Sequence, residues 1–167
     1  MSRKCEAVST IMTKTLVLGI GNNLLTDEGV GIHVIHRLQE DCPDSPDITF
    51  LDGGTLSFVL AGELAAHQRL IVVDAAHMGL NPGEITCFED TDMDSYLKGN
   101  RKSVHEVGLT DLLDIARLSD HFPQKRALIG IQPLSLDWGE TPTAAVAPAV
   151  PEAAGMILSL IKRWDSA

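Results

Sequence analysis

Leu16-Val17-Leu18-Gly19-Ile20-Gly21-Asn22-Asn23-Leu24-Leu25-Thr26-Asp27-Glu28-Gly29 decides how the rest of this chain is read. A short apolar run feeds a glycine turn, and two acids stand where a helix should begin. Gly19 and Gly21 invite comparison with a dinucleotide-binding loop. Leu24, however, takes the place of the third glycine, which that fingerprint needs for close helix–strand packing. Negative side chains suit a helix N-terminus, and here they occupy the place a pyrophosphate would need. The stretch reads as a strand–turn–helix that presents carboxylates.

Thr15–Ile20 is a short, continuous, buried-type strand. A helix follows from about Glu28 to Glu40, with Val30, Val34, Ile35 and Leu38 on one face, and Pro43 and Pro46 end it. Ile48–Leu51 is a second strand, stopping at Asp52-Gly53-Gly54. Residues 56–67 read as a helix, with Leu56, Val59, Leu60 and Leu64 on its apolar face. Leu70–Val73 is a third strand, ending at Asp74. Asn81-Pro82-Gly83 marks a turn, and Glu84–Phe88 suits a strand near the sheet edge. Residues 90–104 read as polar and irregular, and a helix is expected from Leu109 to Leu118. Ala127–Ile131 is a last strand. A final helix runs over about Pro148–Trp164, with Val150, Ala154, Ile157, Leu158 and Ile161 inward. Strands alternating with helices imply right-handed crossovers. The expected fold is therefore a single α/β domain over residues 15–165. Its sheet is twisted and mostly parallel, with about five strands and helices on both faces.

The 167 residues are 44% apolar and 22% charged, with a net charge of −10. That balance excludes a nucleic-acid binder, because no Lys/Arg cluster could neutralise phosphates. Three scattered cysteines, Cys5, Cys42 and Cys87, form no C-x-x-C and suit a reducing cytoplasm. No apolar run approaches a membrane span. Residues 1–14 lack the apolar core of a signal peptide and read as a disordered lead-in. No stretch of exposed apolar residues marks a dimer interface, so a monomer is expected.

In an open α/β sheet, ligands bind at the carboxyl ends of the strands. Sorting the acids and histidines by that rule brings Glu28, Asp52 and Asp74 to one rim, with His105 on a segment able to fold over it. Carboxylates with one imidazole suit a divalent cation of intermediate hardness, which can activate water or polarise a carbonyl. Each residue also has a plainer explanation. Glu28 could complement a helix dipole, Asp52 could bond its turn, Asp74 could be a cap, and His105 a surface histidine. His33, His36 and His67 have no partner at ligand spacing. Cys87 with His105 is a conceivable nucleophile pair, but Cys87 falls within a strand, where an inert buried thiol is expected.

Five segments, taken in order and spacing, resemble the hydrogenase maturation endopeptidases. They are Leu18–Gly31, Leu51-Asp52-Gly53-Gly54-Thr55, Val72-Val73-Asp74-Ala75, His105-Glu106-Val107-Gly108-Leu109 and Ile129-Gly130-Ile131-Gln132-Pro133. The resemblance covers the chain from Thr15 to about Ile161. It implies that Glu28, Asp74 and His105 stand at the family's three metal-ligand positions. It also implies that Asp52, with Glu28 and Asp74, belongs to the catalytic acids. The implied substrate is the precursor of a nickel–iron hydrogenase large subunit, from which a short C-terminal extension is cut. Nickel already in that precursor is the recognition signal, and no organic cofactor or permanently bound metal is implied. The family has been classed with aspartic-type peptidases, although this chain lacks the D-T/S-G pair of pepsin-like enzymes. Two other readings stay open on the residues alone: a small-molecule- or nucleotide-binding α/β domain without protease activity, and a large-subunit chaperone.

Overall fold

Apolar, β-branched runs become strands wherever a glycine, proline or acid stops them. The computed structural model describes residues 12–55, 59–100 and 104–167, and in it five such runs form one sheet. These are β1 (Thr15–Gly19), β2 (Ile48–Asp52), β3 (Arg69–Ala75), β4 (Ile85–Glu89) and β5 (Lys125–Ile131). Their order across the sheet is β2-β1-β3-β5-β4, with all pairs parallel except β4–β5. Most of the segment expected to be a disordered lead-in, residues 1–11, lies outside the described residues.

A 3₁₀ turn (Thr26–Gly29) leads into α1 (Val30–Asp41), whose Val30, Val34, Ile35 and Leu38 are fully buried, as their spacing predicts. With α5 (Ala149–Asp165) it covers one face of the sheet. On the other face lie α2 (Leu60–Ala65), α3 (Thr91–Gly99) and α4 (Val104–Leu118). Of the α2 positions expected to point inward, Leu60 and Leu64 do so. Val59 does not: it precedes the helix and is exposed, and Leu56 lies outside the described residues.

Most of the described part of the segment 90–104 is helical, not irregular. Thr91–Gly99 is a helix that buries Met93 and Leu97, one turn apart, and sets Tyr96 against Phe88 with ring centroids 4.3 Å apart. Only two apolar positions on a polar helix hide its period, while Asp92 and Asp94 in the first turn and Lys98 in the last suit its dipole. Helix α4 likewise starts five residues before Leu109, so His105 sits in a helical first turn and not on a loop.

The close helix–strand packing that Leu24 cannot supply comes from Gly31. A Cβ there would collide with the Val73 carbonyl and press on the Ile20 carbonyl, so α1 starts directly on the ends of β1 and β3. Alanine in a helix normally gains up to about 1 kcal/mol over glycine. Here the obstacle is strand backbone that cannot yield, and overpacking costs about 1–3 kcal/mol. Gly31→Ala is expected to lower the urea midpoint, which equilibrium unfolding will read.

Candidate active site

Strand order decides where a crevice opens. From β1 the chain crosses to β2 on one side, then returns past β1 to β3 on the other. Helices α1 and α2 therefore leave on opposite faces, and a gap remains at the carboxyl ends of β1 and β3. Gly19 pairs with Val73, so Asp74 lies one step beyond the end of β1, and the turn after β1 carries Glu28 over the same gap.

Three side chains meet there. His105 Nε2 lies 3.3 Å from Glu28 Oε1, and His105 Nδ1 lies 3.6 Å from Asp74 Oδ1. Side-chain exposure is 23% for Glu28, 12% for His105 and 9% for Asp74, so the row opens to solvent at the Glu28 end. The imidazole lies between two carboxylates. A neutral ring carries one N–H and can donate to one of them, whereas a protonated ring can donate to both. The three form a line: among the described residues no three His, Cys, Asp or Glu side chains converge as a metal-binding group.

Asp52 ends β2 at the same rim, level with Gly19, but its side chain is engaged elsewhere. Its Oδ1 accepts from the Gly54 N–H at 2.8 Å, and its Oδ2 lies 3.9 Å from His36 Nε2 on α1. His36, passed over in the sequence for want of a partner, thus has one. His67 is a satisfied core residue, with Nδ1 2.6 Å from the Glu63 carbonyl and Nε2 2.9 Å from Thr49 Oγ1. Cys87 is inert as expected: burial, with Glu89 adding, pushes its thiol up to about 11.

Asp27 is the residue whose role the sequence hides. Neighbours on a 3₁₀ turn point about 120° apart, so when Glu28 faces the gap Asp27 faces inward. It is fully buried and accepts from the N–H groups of Leu134 (2.9 Å), Ser135 (3.0 Å) and Thr143 (2.7 Å), and from Thr143 Oγ1 (2.9 Å). Burial pushes its pKa up, but the donors from Ser135, Thr143 and Leu134 outweigh burial and hold it below the usual carboxylate range.

The glycine turn is filled by the chain itself. Gly21, at φ +139°, has the Glu28 carbonyl where its Cβ would stand. The N–H groups of Gly21, Leu25, Thr26, Asp27 and Glu28 bond to Gly54, Asn22, Gly139, Ser135 and Leu25 carbonyls. A pyrophosphate would need such donors unoccupied, so the geometry counts against the nucleotide-binding reading.

A sequence profile described as hydrogenase maturation protease matches residues 32–160. The chain is 37% identical over 155 residues to the hydrogenase expression/formation protein HupD of Rhizobium leguminosarum bv. viciae, covering 92% of this chain and 77% of that one. It is 39% identical over 144 residues to the hydrogenase 2 maturation protease of Escherichia coli (strain K12), covering 82% and 86% respectively. The structure of the hydrogenase maturating endopeptidase HybD from E. coli superposes with a TM-score of 0.82 at 31% identity, over 90% of this chain and 93% of that one.

Proposed function

The chain belongs to the hydrogenase maturation protease family, and from that premise we propose that it removes a short C-terminal extension from the nickel-loaded large-subunit precursor of a nickel–iron hydrogenase. The observation that carries the proposal is the Glu28–His105–Asp74 row at the strand-order gap.

The donor set fits a nickel ion that arrives with the substrate. Two ligands about 2.1 Å from one ion, at angles between octahedral and tetrahedral, stand about 3.0–3.4 Å apart. Glu28 Oε1 and His105 Nε2, at 3.3 Å, already have that spacing. Asp74 faces the opposite ring nitrogen, where a carboxylate orients a ligating imidazole. A turn of the His105 ring would be needed for all three to reach one ion. In hydrolysis, Glu28 takes a proton from water as its oxygen bonds to the scissile carbonyl carbon. The proton then passes to the amide nitrogen as the C–N bond breaks. Asp52, partly exposed at the rim, could meet the substrate through Oδ2 while Oδ1 stays bonded to Gly54 N–H. We place the reaction in the cytoplasm, whose reducing conditions suit the free Cys42 and Cys87. Among the described residues no helix is long and apolar enough to cross a membrane.

Incubation with nickel-loaded and nickel-free precursor, followed by intact-mass measurement of the large subunit, tests the proposal. Loss of the extension from the loaded form alone is the expected result. Equal cleavage of both forms would refute nickel recognition, and no cleavage of either would refute the activity assignment.

A further inference from the structure

Leu24, Leu134, Leu136 and Trp138 are large apolar residues exposed together on two adjoining loops beside the site, where the sequence suggested no such surface. Trp138 is 81% exposed, whereas the other tryptophan, Trp164, is 4% exposed. The backbone beneath the patch is tightly held. Gly139 N donates to Leu24 O at 2.9 Å, Thr26 N donates to Gly139 O at 2.8 Å, and Leu25 and Gly139 form a parallel bridge. Thr26 Oγ1 donates to Ser135 O at 2.7 Å, and buried Asp27 binds the amides of Leu134 and Ser135. An indole presented on a constrained backbone loses little entropy on contact, and tryptophan is enriched among residues that dominate binding energy.

We infer that this patch is the docking surface for the folded large-subunit precursor, holding it beside the segment to be cut; the inference rests on the proposed function above. Continuity with the site is the first argument. Thr26 and Asp27, which carry the loop, immediately precede Glu28, so the patch adjoins the place where a peptide bond would meet Glu28. Charge is the second. Asp137 and Glu140 are exposed beside Trp138, in a chain of net charge −10. The partner surface they fit is apolar with a basic rim. Two copies meeting on this patch would bring a second acidic rim to the first, and anionic lipid would be repelled. Area is the third argument. A whole aromatic side chain offers roughly 150–250 Å², so four partly exposed residues give a few hundred Å², short of the about 800 Å² per partner of a stable complex. That size suits an enzyme that must release its product.

Steady-state trimming of nickel-loaded precursor by Trp138→Ala and Leu136→Asp variants tests the inference. KM is expected to rise about 10–50-fold with kcat within about twofold, and thermal midpoints should hold because both side chains face solvent. Tryptophan emission should shift to the blue when precursor is added to the wild-type chain, and this shift should vanish in Trp138→Phe. Wild-type KM in both variants would overturn the docking surface while leaving the activity standing. Failure of the wild-type chain to trim would overturn both. Self-association in sedimentation that Trp138→Ala abolishes, or binding to phosphatidylserine vesicles, would assign the patch to another occupant and overturn the inference.

Discussion

Glu28→Gln is expected to slow trimming of the nickel-loaded precursor by about 10²–10⁴, the range in which positioned acid–base groups contribute. Glutamine keeps the length and shape of the side chain but cannot take a proton from water. Its 3.3 Å contact with His105 also loses the carboxylate acceptor charge. Glu28 is the most open member of the row, so it is the one a substrate meets first. Asp74→Asn and His105→Ala should follow in the same direction. With Asp74 nine-tenths enclosed behind the imidazole, its loss acts by leaving the ring unoriented. Single-turnover reactions sampled by intact mass give the rates. Binding of precursor with lost trimming supports an enzyme, whereas wild-type trimming by Glu28→Gln would remove Glu28 from the chemistry. A chaperone that only shields the precursor would show no trimming in any form.

The second large effect concerns stability. Asp27→Ala removes a buried anion and leaves the N–H groups of Leu134, Ser135 and Thr143 without their acceptor. Each stranded buried donor costs about 1–3 kcal/mol, and breaking a buried charge network costs about 3–5 kcal/mol in all. Against a typical total of about 5–15 kcal/mol, that is a fall in melting temperature of roughly 6–20 °C. Asparagine should rescue little, because its amide would point donors at donors. The pH dependence supplies a sign. Asp27 titrates below its unfolded value, so its contribution is complete above about pH 5. It is lost as pH falls below about 4 and through the folded pKa. The gap between wild type and Asp27→Ala in urea midpoints should therefore narrow in acid. Asp94, held low chiefly by its hydrogen bonds from Arg126, adds to the same acid branch in both proteins. A constant gap from pH 6 to pH 3 would mean that Asp27 acts without its charge.

Glu28, Asp74 and His105 were legible because parallel strands leave few places for acids at their carboxyl ends. The turn after Leu16–Gly19 and the end of Leu70–Val73 both point to that rim. Asp52 was legible as a rim residue, but its bond to Gly54 N–H and its approach to His36 depend on tertiary placement. Local sequence could not separate Asp27 from Glu28. Which of two adjacent acids turns inward depends on donors more than a hundred residues away. Helix α3 escaped for a related reason. Its two core contacts, Met93 and Leu97, are too few to set a period against a polar background. His105 was placed on the right segment but the wrong kind of structure, because α4 begins before the apolar spacing that announces it.

The bonds from Asp27 to Leu134 and Thr143 close loops of 107 and 116 residues. Chains are synthesised from the N-terminus and fold as they emerge, so the turn bearing Glu28 leaves the ribosome long before the amides that fix its neighbour. Until the segment after β5 is made, Asp27 lacks these donors and the turn bearing Glu28 lacks its bonds to Ser135 and Gly139. A chain truncated before Leu134 is therefore expected to hold Glu28 less firmly than the full chain does.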